Sequence, residues 1–181
     1  MTERSGDHDD LWQRAASFAA RAHQHVIRKD GVTPYSAHPF RVAMTVRHTF
    51  ACDDAVAIAA ALLHDVIEDT GHDYDDIEKH FGVEIADIVA ALTKNMLLPE
   101  RIREPEYDNR LAEADWRARL VKLADQYDNL SDAMASRFKT SKSLAKCARA
   151  IALATPDAEH HPEARRAIAR LEELMDKARE A

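Results

Sequence analysis

The sequence predicts an all-α fold, built as one helical domain over residues 1–181. Three observations point there. Only four glycines occur in 181 residues, alanine is abundant, and β-branched runs are short. That composition favours helix over sheet. Apolar residues recur at three- and four-residue spacing in most segments, and no convincing strand alternation occurs. The length suits a single domain with a sizeable core.

Taken in order, residues 10–28 read as a first helix, with Leu11, Ala15, Phe18, Ala19, Ala22 and Val26 as its apolar stripe and an Asp cluster before it as cap. Gly31 and Pro34 then set a loop. Pro39 fits the first turn of a second helix that runs to about Phe50, with His38 at its mouth. Asp53 or Asp54 caps a third, apolar nearly all round from Ala55 to Leu63 and therefore central; it is expected to end near Thr70, with Gly71 as the C′ residue. A short helix follows Asp73 and ends near Gly82, and another spans Val83 to Leu92. Residues 95–108, with Pro99, Pro105 and dense charge, read as a mobile loop. A long helix from about Asn109 to Leu130 follows, then two closing helices at 141–154 and 162–179. Trp12, Phe18 and Trp116 are expected in the core, and His160-His161 in a solvated loop.

Apolar residues are 46% and charged residues 31%, as in an ordinary globular chain. The net charge of −7 argues against nucleic-acid binding, which depends on basic stripes. It leaves room for a small phosphorylated substrate, because a metal and a few cations can reverse the local field. Cys52 and Cys147 lack metal-type spacing and read as two unpaired thiols. The polar N-terminus has no signal-peptide core, and the run from Ala55 to Leu63 is too short to span a bilayer. The expected location is the cytoplasm, with no membrane partner. Oligomeric state is not set by these features.

Four residues carry the functional reading: His38, His64, Asp65 and Asp125. Two imidazoles and two carboxylates can hold one divalent ion and leave positions open for water and phosphate, which suits hydrolysis rather than a structural clip. His64 and Asp65 follow the most apolar run, where a buried carboxylate needs a compensating partner. They are about 100° apart on a helix, so both reach one point only at a crowded site. The mixed nitrogen and oxygen set suits manganese, iron, zinc or magnesium, in that order of preference. Glu68 and Asp69 lie one turn on and flank the ligand face, placed to orient a water or to give a proton to a leaving group. Singly, each has a bland reading: a helix cap at His38, a solvated helix end at Glu68-Asp69, a surface acid at Asp125. Arg28 and Lys29 alone read as solvated cations at a helix C-terminus. His23 reads as a buried histidine bonded to a neighbour.

In this order and context the residues form long motifs. Ala19-Ala20-Arg21-Ala22-His23, Arg28-Lys29-Asp30-Gly31-Val32-Thr33-Pro34-Tyr35 through His38-Pro39, Ala60-Ala61-Leu62-Leu63-His64-Asp65-Val66-Ile67-Glu68-Asp69-Thr70, and Val121-Lys122-Leu123-Ala124-Asp125-Gln126-Tyr127-Asp128-Asn129-Leu130 occur in sequence. Over about residues 10–135 the chain resembles the HD superfamily of metal-dependent phosphohydrolases, in particular the Rel/SpoT-type alarmone hydrolase domain; the helices at about 141–179 would complete the domain. The remainder holds no synthetase, TGS or ACT domain, so the chain looks like a stand-alone small alarmone hydrolase.

The resemblance implies an all-α fold, a Mn²⁺ ion, and hydrolysis of the 3′-diphosphate of (p)ppGpp to GDP or GTP plus pyrophosphate. It places His38, His64, Asp65 and Asp125 as metal ligands and Glu68 and Asp69 as catalytic acids. Arg28, Lys29 and Asn129 fall on nucleotide-contacting positions. Where many relatives carry Arg-Thr or Arg-Asp after the asparagine and the next residue, this chain has Ser131-Asp132, and Asp128 adds an acid to the same turn. That departure keeps a second substrate class in view: (p)ppApp, NADPH or a nucleoside monophosphate.

Overall fold

The computed structural model describes residues 10–136 and 140–180. The Asp cluster before the first helix lies outside this range except for Asp10. The described residues form ten α-helices: α1 Leu11–Ala22, α2 Ala37–Met44, α3 Ala55–Leu63, α4 Val66–Asp69, α5 Tyr74–Phe81, α6 Val83–Leu92, α7 Glu100–Glu113, α8 Trp116–Ser136, α9 Thr140–Ala154 and α10 Pro162–Glu180. A π-helical turn at Thr45–Thr49 continues α2, and a 3₁₀ turn at Thr155–Glu159 precedes α10. Among the described residues there is one isolated β-bridge, Ile27 to Pro34, and no strand. No helix among them is long and apolar enough to cross a membrane.

The all-α expectation holds, and α3 is central. Its alanines Ala57, Ala59, Ala60 and Ala61 are fully buried and let α1, α2, α6 and α8 approach it. Asp54 caps it, accepting from the Ala57 N–H at 2.8 Å, and Asp73 caps α5 in the same way at 3.1 Å. One hydrophobic core runs from Leu11 to Ala178, with Leu63, Leu120, Leu123 and Leu171 completely enclosed. Cys52 and Cys147 are buried free thiols.

Several boundaries differ from expectation. Helix α1 stops at Ala22, because the chain reverses through His25, whose φ is 69°. The following loop is locally locked: Asp30 accepts from the Val32 and Thr33 N–H groups at 2.9 Å each, around Gly31 at φ 80°. The third helix breaks at His64-Asp65 instead of reaching Thr70. Gly71 is not left-handed; Gly82, at φ 87°, is, and it separates α5 from α6. Trp12 is 47% exposed rather than in the core. His161 is no free loop residue: it stacks on the half-buried Trp116, with centroids 4.0 Å apart and planes 9° apart.

The largest correction is at residues 95–108. Most of that segment belongs to helix α7, and the expected helix from Asn109 is divided at Ala114-Asp115 between α7 and α8. Pro105 removes one internal hydrogen bond, but α7 is held from outside. Tyr107 and Leu111 are buried, Arg149 binds Asp108 and Glu104, and Lys94 binds Glu104. Tertiary contacts override the local breaker.

Glu104 lies 2.8 Å from Lys94 and 2.7 Å from Arg149. Burial works against its charge, but the two cations outweigh it and hold its carboxyl at about 2, below the ordinary 4.5. A depressed carboxyl stabilises the fold above its ordinary value, and that contribution disappears as pH falls towards about 2. The urea midpoint of Glu104→Gln is therefore expected to lie below wild type near neutral pH and to meet it near pH 2. A gap of constant size across that range would assign the effect to packing instead.

Candidate metal centre

Three separate stretches of chain converge on one point. His38 comes from the first turn of α2, His64 and Asp65 from the break between α3 and α4, and Asp125 from the middle of α8. The break answers the problem that two adjacent helical residues diverge by about 100°. Asp65 adopts φ −100°, ψ −1°, leaves the regular helix, and brings its carboxylate round to the imidazole beside it.

His38 Nε2 lies 3.4 Å from Asp65 Oδ2 and 3.3 Å from Asp125 Oδ1. His64 Nε2 lies 3.2 Å from Asp65 Oδ2 and 3.9 Å from Asp125 Oδ1. Ligand atoms about 2.0–2.2 Å from a common ion sit roughly 3–3.5 Å from one another, so this spacing can enclose a divalent cation. The tautomers agree with that reading. His64 Nδ1 donates to the Ala61 carbonyl at 2.8 Å, which turns Nε2 to the centre, and this buried nitrogen has no hydrogen-bond partner among the described residues. His38 Nδ1 donates to Asp128 Oδ2 at 2.7 Å, again presenting Nε2 to the centre.

The electrostatics describe a site built for positive charge. Burial acts to raise the Asp125 carboxyl, yet Lys122 and the two imidazoles outweigh it and hold it well below the ordinary range. Asp65 is likewise held low against its burial, by His64 and His38. Burial acts to lower His38, but hydrogen bonds with Asp125, Asp128 and Asp65 lift it to about 11. A divalent ion would take the place of those imidazole protons beside the same carboxylates. The site can thus hold one divalent metal.

Glu68 and Asp69 lie on α4 beside the centre. Glu68 Oε2 accepts from the Lys94 N–H at 2.9 Å. Burial, aided by Asp65 and Asp69, raises its carboxyl despite that bond. Asp69 is exposed and takes the Tyr35 hydroxyl at 2.8 Å, the same hydroxyl that reaches Asp65 at 2.7 Å. Burial and those two carboxylates keep the Tyr35 phenol protonated far above its ordinary value. Asn129 Nδ2 bonds Asp125 Oδ1 at 2.5 Å. Arg28 lies at the rim, its guanidinium 5.8 Å from the Tyr35 ring and 2.5 Å from Asp132. Lys29 is exposed and takes part in none of these contacts.

Four residues at the site lie outside the sequence-predicted set. Asp128 orients His38, Lys122 binds Asp125 at 2.8 Å, Tyr35 joins Asp65 to Asp69, and Arg41 grips Asp128. Their spacing was a usable signal: Tyr35 precedes His38 by three residues, and Asp128 and Lys122 lie three either side of Asp125. His23 is buried against Tyr35, but neither of its ring nitrogens has a hydrogen-bond partner, contrary to expectation. Asp128→Asn keeps the shape and weakens the acceptor behind His38. Metal affinity is expected to fall by about 10–100-fold, read by titrating Mn²⁺ into the metal-stripped protein.

Comparison with known proteins adds to this geometry. A family model described as HD domain matches residues 15–155. The guanosine-3′,5′-bis(diphosphate) 3′-pyrophosphohydrolase MESH1 of Xenopus tropicalis is 40% identical over 119 residues, spanning 65% of this chain and 66% of that protein. The Homo sapiens protein of the same name is 41% identical over the same shares. These alignments cover just under two thirds of either relative. A guanosine-3′,5′-bis(diphosphate) 3′-pyrophosphohydrolase of Aquifex aeolicus is 35% identical over 77% of this chain but only 20% of its own length. The solved structure of a metazoan ortholog of SpoT, described as hydrolysing ppGpp, superposes with a TM-score of 0.74 at 26% identity. It covers 98% of this chain and 96% of that one.

Proposed function

This chain belongs to the HD-domain family, and we propose that it is a Mn²⁺-dependent hydrolase of the 3′-diphosphate of (p)ppGpp, releasing GDP or GTP and pyrophosphate. The observation that carries the reading is the cluster of His38, His64 and Asp65, with Asp125 3.3 Å from His38 and 3.9 Å from His64, beside two further acids on one short helix. The relatives named for this reaction support the substrate.

His38, His64, Asp65 and Asp125 would hold the ion. When bound, it would polarise phosphate oxygens and lower the pKa of a water ligand. The rest is work for the chain's own side chains. Water adds to the phosphorus attached to the 3′-oxygen, the bond from that phosphorus to the 3′-oxygen breaks, and the 3′-oxygen takes up a proton. Glu68, whose carboxyl is raised by burial, can carry that proton. Asp69, aligned by Tyr35, can accept one from the attacking water. Asn129 steadies Asp125, and Arg28 presents its face beside Tyr35 to the nucleotide.

One observation favours a second reading of the substrate. Asp132 already neutralises Arg28, so the phosphate demand on that flank is lower than two bare cations would suggest. The alternative keeps the chemistry and changes the nucleotide to (p)ppApp, NADPH or a nucleoside monophosphate. A panel of ppGpp, pppGpp, ppApp and NADPH with Mn²⁺ separates the two readings. Pyrophosphate from the guanosine compounds at the highest kcat/KM is expected, and faster orthophosphate release from NADPH would transfer the assignment.

A further inference from the structure

Arg41 stands outside both the metal ligands and the residues assigned above to the nucleotide. It follows His38 by three residues on α2, so the two side chains share one helix face. Its Nε donates to Asp128 Oδ1 at 2.5 Å and its Nη2 to Asp128 Oδ2 at 2.9 Å, a bidentate fork. The same Nη2 reaches the two oxygens of Asp132 at 3.1 and 3.0 Å. Asp128 and Asp132 are one turn apart on α8, which lets a single guanidinium straddle them.

Each carboxylate has a second partner that matters. Asp128, 5% exposed, takes the Nδ1–H of His38. Asp132 takes Arg28, whose guanidinium lies over Tyr35, and Tyr35 reaches back to Asp65 and Asp69. The contacts close a ring around the metal centre, from His38 through Asp128, Arg41, Asp132, Arg28 and Tyr35 to Asp65.

We propose that Arg41 is a positioning residue that ties the metal ligand His38 to the rim cation Arg28, so that metal affinity and nucleotide binding both depend on it. The Arg28 half rests on the function proposed above; the His38 half does not. Exposed ion pairs contribute little in general, but Asp128 is buried. Among the described residues Arg41 supplies two of the three hydrogen bonds its carboxylate accepts, and Arg28 stands 3.9 Å from it. Without the fork, Asp128 is free to turn, and the His38 ring loses its fixed acceptor. Asp132 likewise loses the group that holds it against Arg28. A lysine has no planar fork and cannot span both carboxylates in this way.

The test compares Arg41→Gln, Arg41→Lys and Asp132→Asn with wild type. Mn²⁺ affinity is measured calorimetrically on metal-stripped protein without nucleotide, and KM and kcat for ppGpp at saturating Mn²⁺. Arg41→Gln is expected to weaken Mn²⁺ binding by about tenfold or more and to raise KM more than it lowers kcat. Arg41→Lys recovers part of each effect, and it carries the test if the glutamine variant does not fold. Asp132→Asn raises KM and leaves Mn²⁺ affinity at the wild-type value. Wild-type Mn²⁺ affinity in Arg41→Gln, or full recovery by lysine, would overturn the proposal. If wild type does not turn over ppGpp, the substrate reading fails, while the Mn²⁺ titration still decides the role of Arg41 at His38.

Discussion

Asp125→Ala is expected to lose stoichiometric Mn²⁺ binding and, with it, turnover. The carboxylate is 7% exposed and accepts from Lys122, Gln126 and Asn129, all on its own helix. Those bonds fix it so that one oxygen faces His38 and His64. Removing it takes away one of the two negative charges that favour a cation and leaves Lys122 beside the vacated position. The charge of the centre is then partly reversed. Activity should fall by more than the ~10²-fold that loss of an outer partner can already cause. Because Lys122 is half-buried, the alanine variant also leaves a cation without its partner, so Asp125→Asn is the companion variant. It keeps the volume and should bind Mn²⁺ far more weakly than wild type while retaining most of the thermal stability. Retained metal at one ion per chain in both variants would remove Asp125 from the ligand set.

Glu68→Gln separates chemistry from metal binding. The amide keeps the side-chain shape and an oxygen for the Lys94 N–H, and Glu68 lies outside the His38, His64 and Asp65 cluster. It cannot deliver a proton. Loss of general acid catalysis typically costs about 10²–10⁴-fold, so kcat should fall within that range while Mn²⁺ affinity stays near wild type. The pH profile gives a second readout. The raised carboxyl of Glu68 should appear as the limb on which wild-type activity declines as pH rises, and that limb should be absent in the glutamine variant. A variant with wild-type kcat would assign Glu68 to holding Lys94 rather than to proton transfer.

Much of this was legible in the sequence because it is local. The apolar run Ala55 to Leu63 announced a central helix, and of the two acids before it, Asp53 and Asp54, the structure shows Asp54 as the cap. His38, His64, Asp65 and Asp125 could be read together because each sits in a distinctive stretch of chain. What escaped is what depends on distant partners. Residues 95–108 looked like a loop because Pro105 and the charges are local signals. The cations that neutralise those charges, Lys94 and Arg149, lie in other segments. The break at His64-Asp65 also escaped: the divergence of adjacent helical ligands was visible, but the local turn that resolves it was not. Asp128 was visible only as a departure in the last motif. Its meaning appears when α2 brings Arg41 and His38 against it.

In the proposed function, one divalent ion held by His38, His64, Asp65 and Asp125 drives hydrolysis of a 3′-diphosphate. The most direct measurement strips the purified protein of metal, returns Mn²⁺ in increments, and follows pyrophosphate and GDP released from ppGpp. No turnover is expected without metal, followed by a rise that saturates at one ion per chain and equal amounts of the two products. Protein that binds the ion at this centre and releases no pyrophosphate from ppGpp would contradict the proposed function.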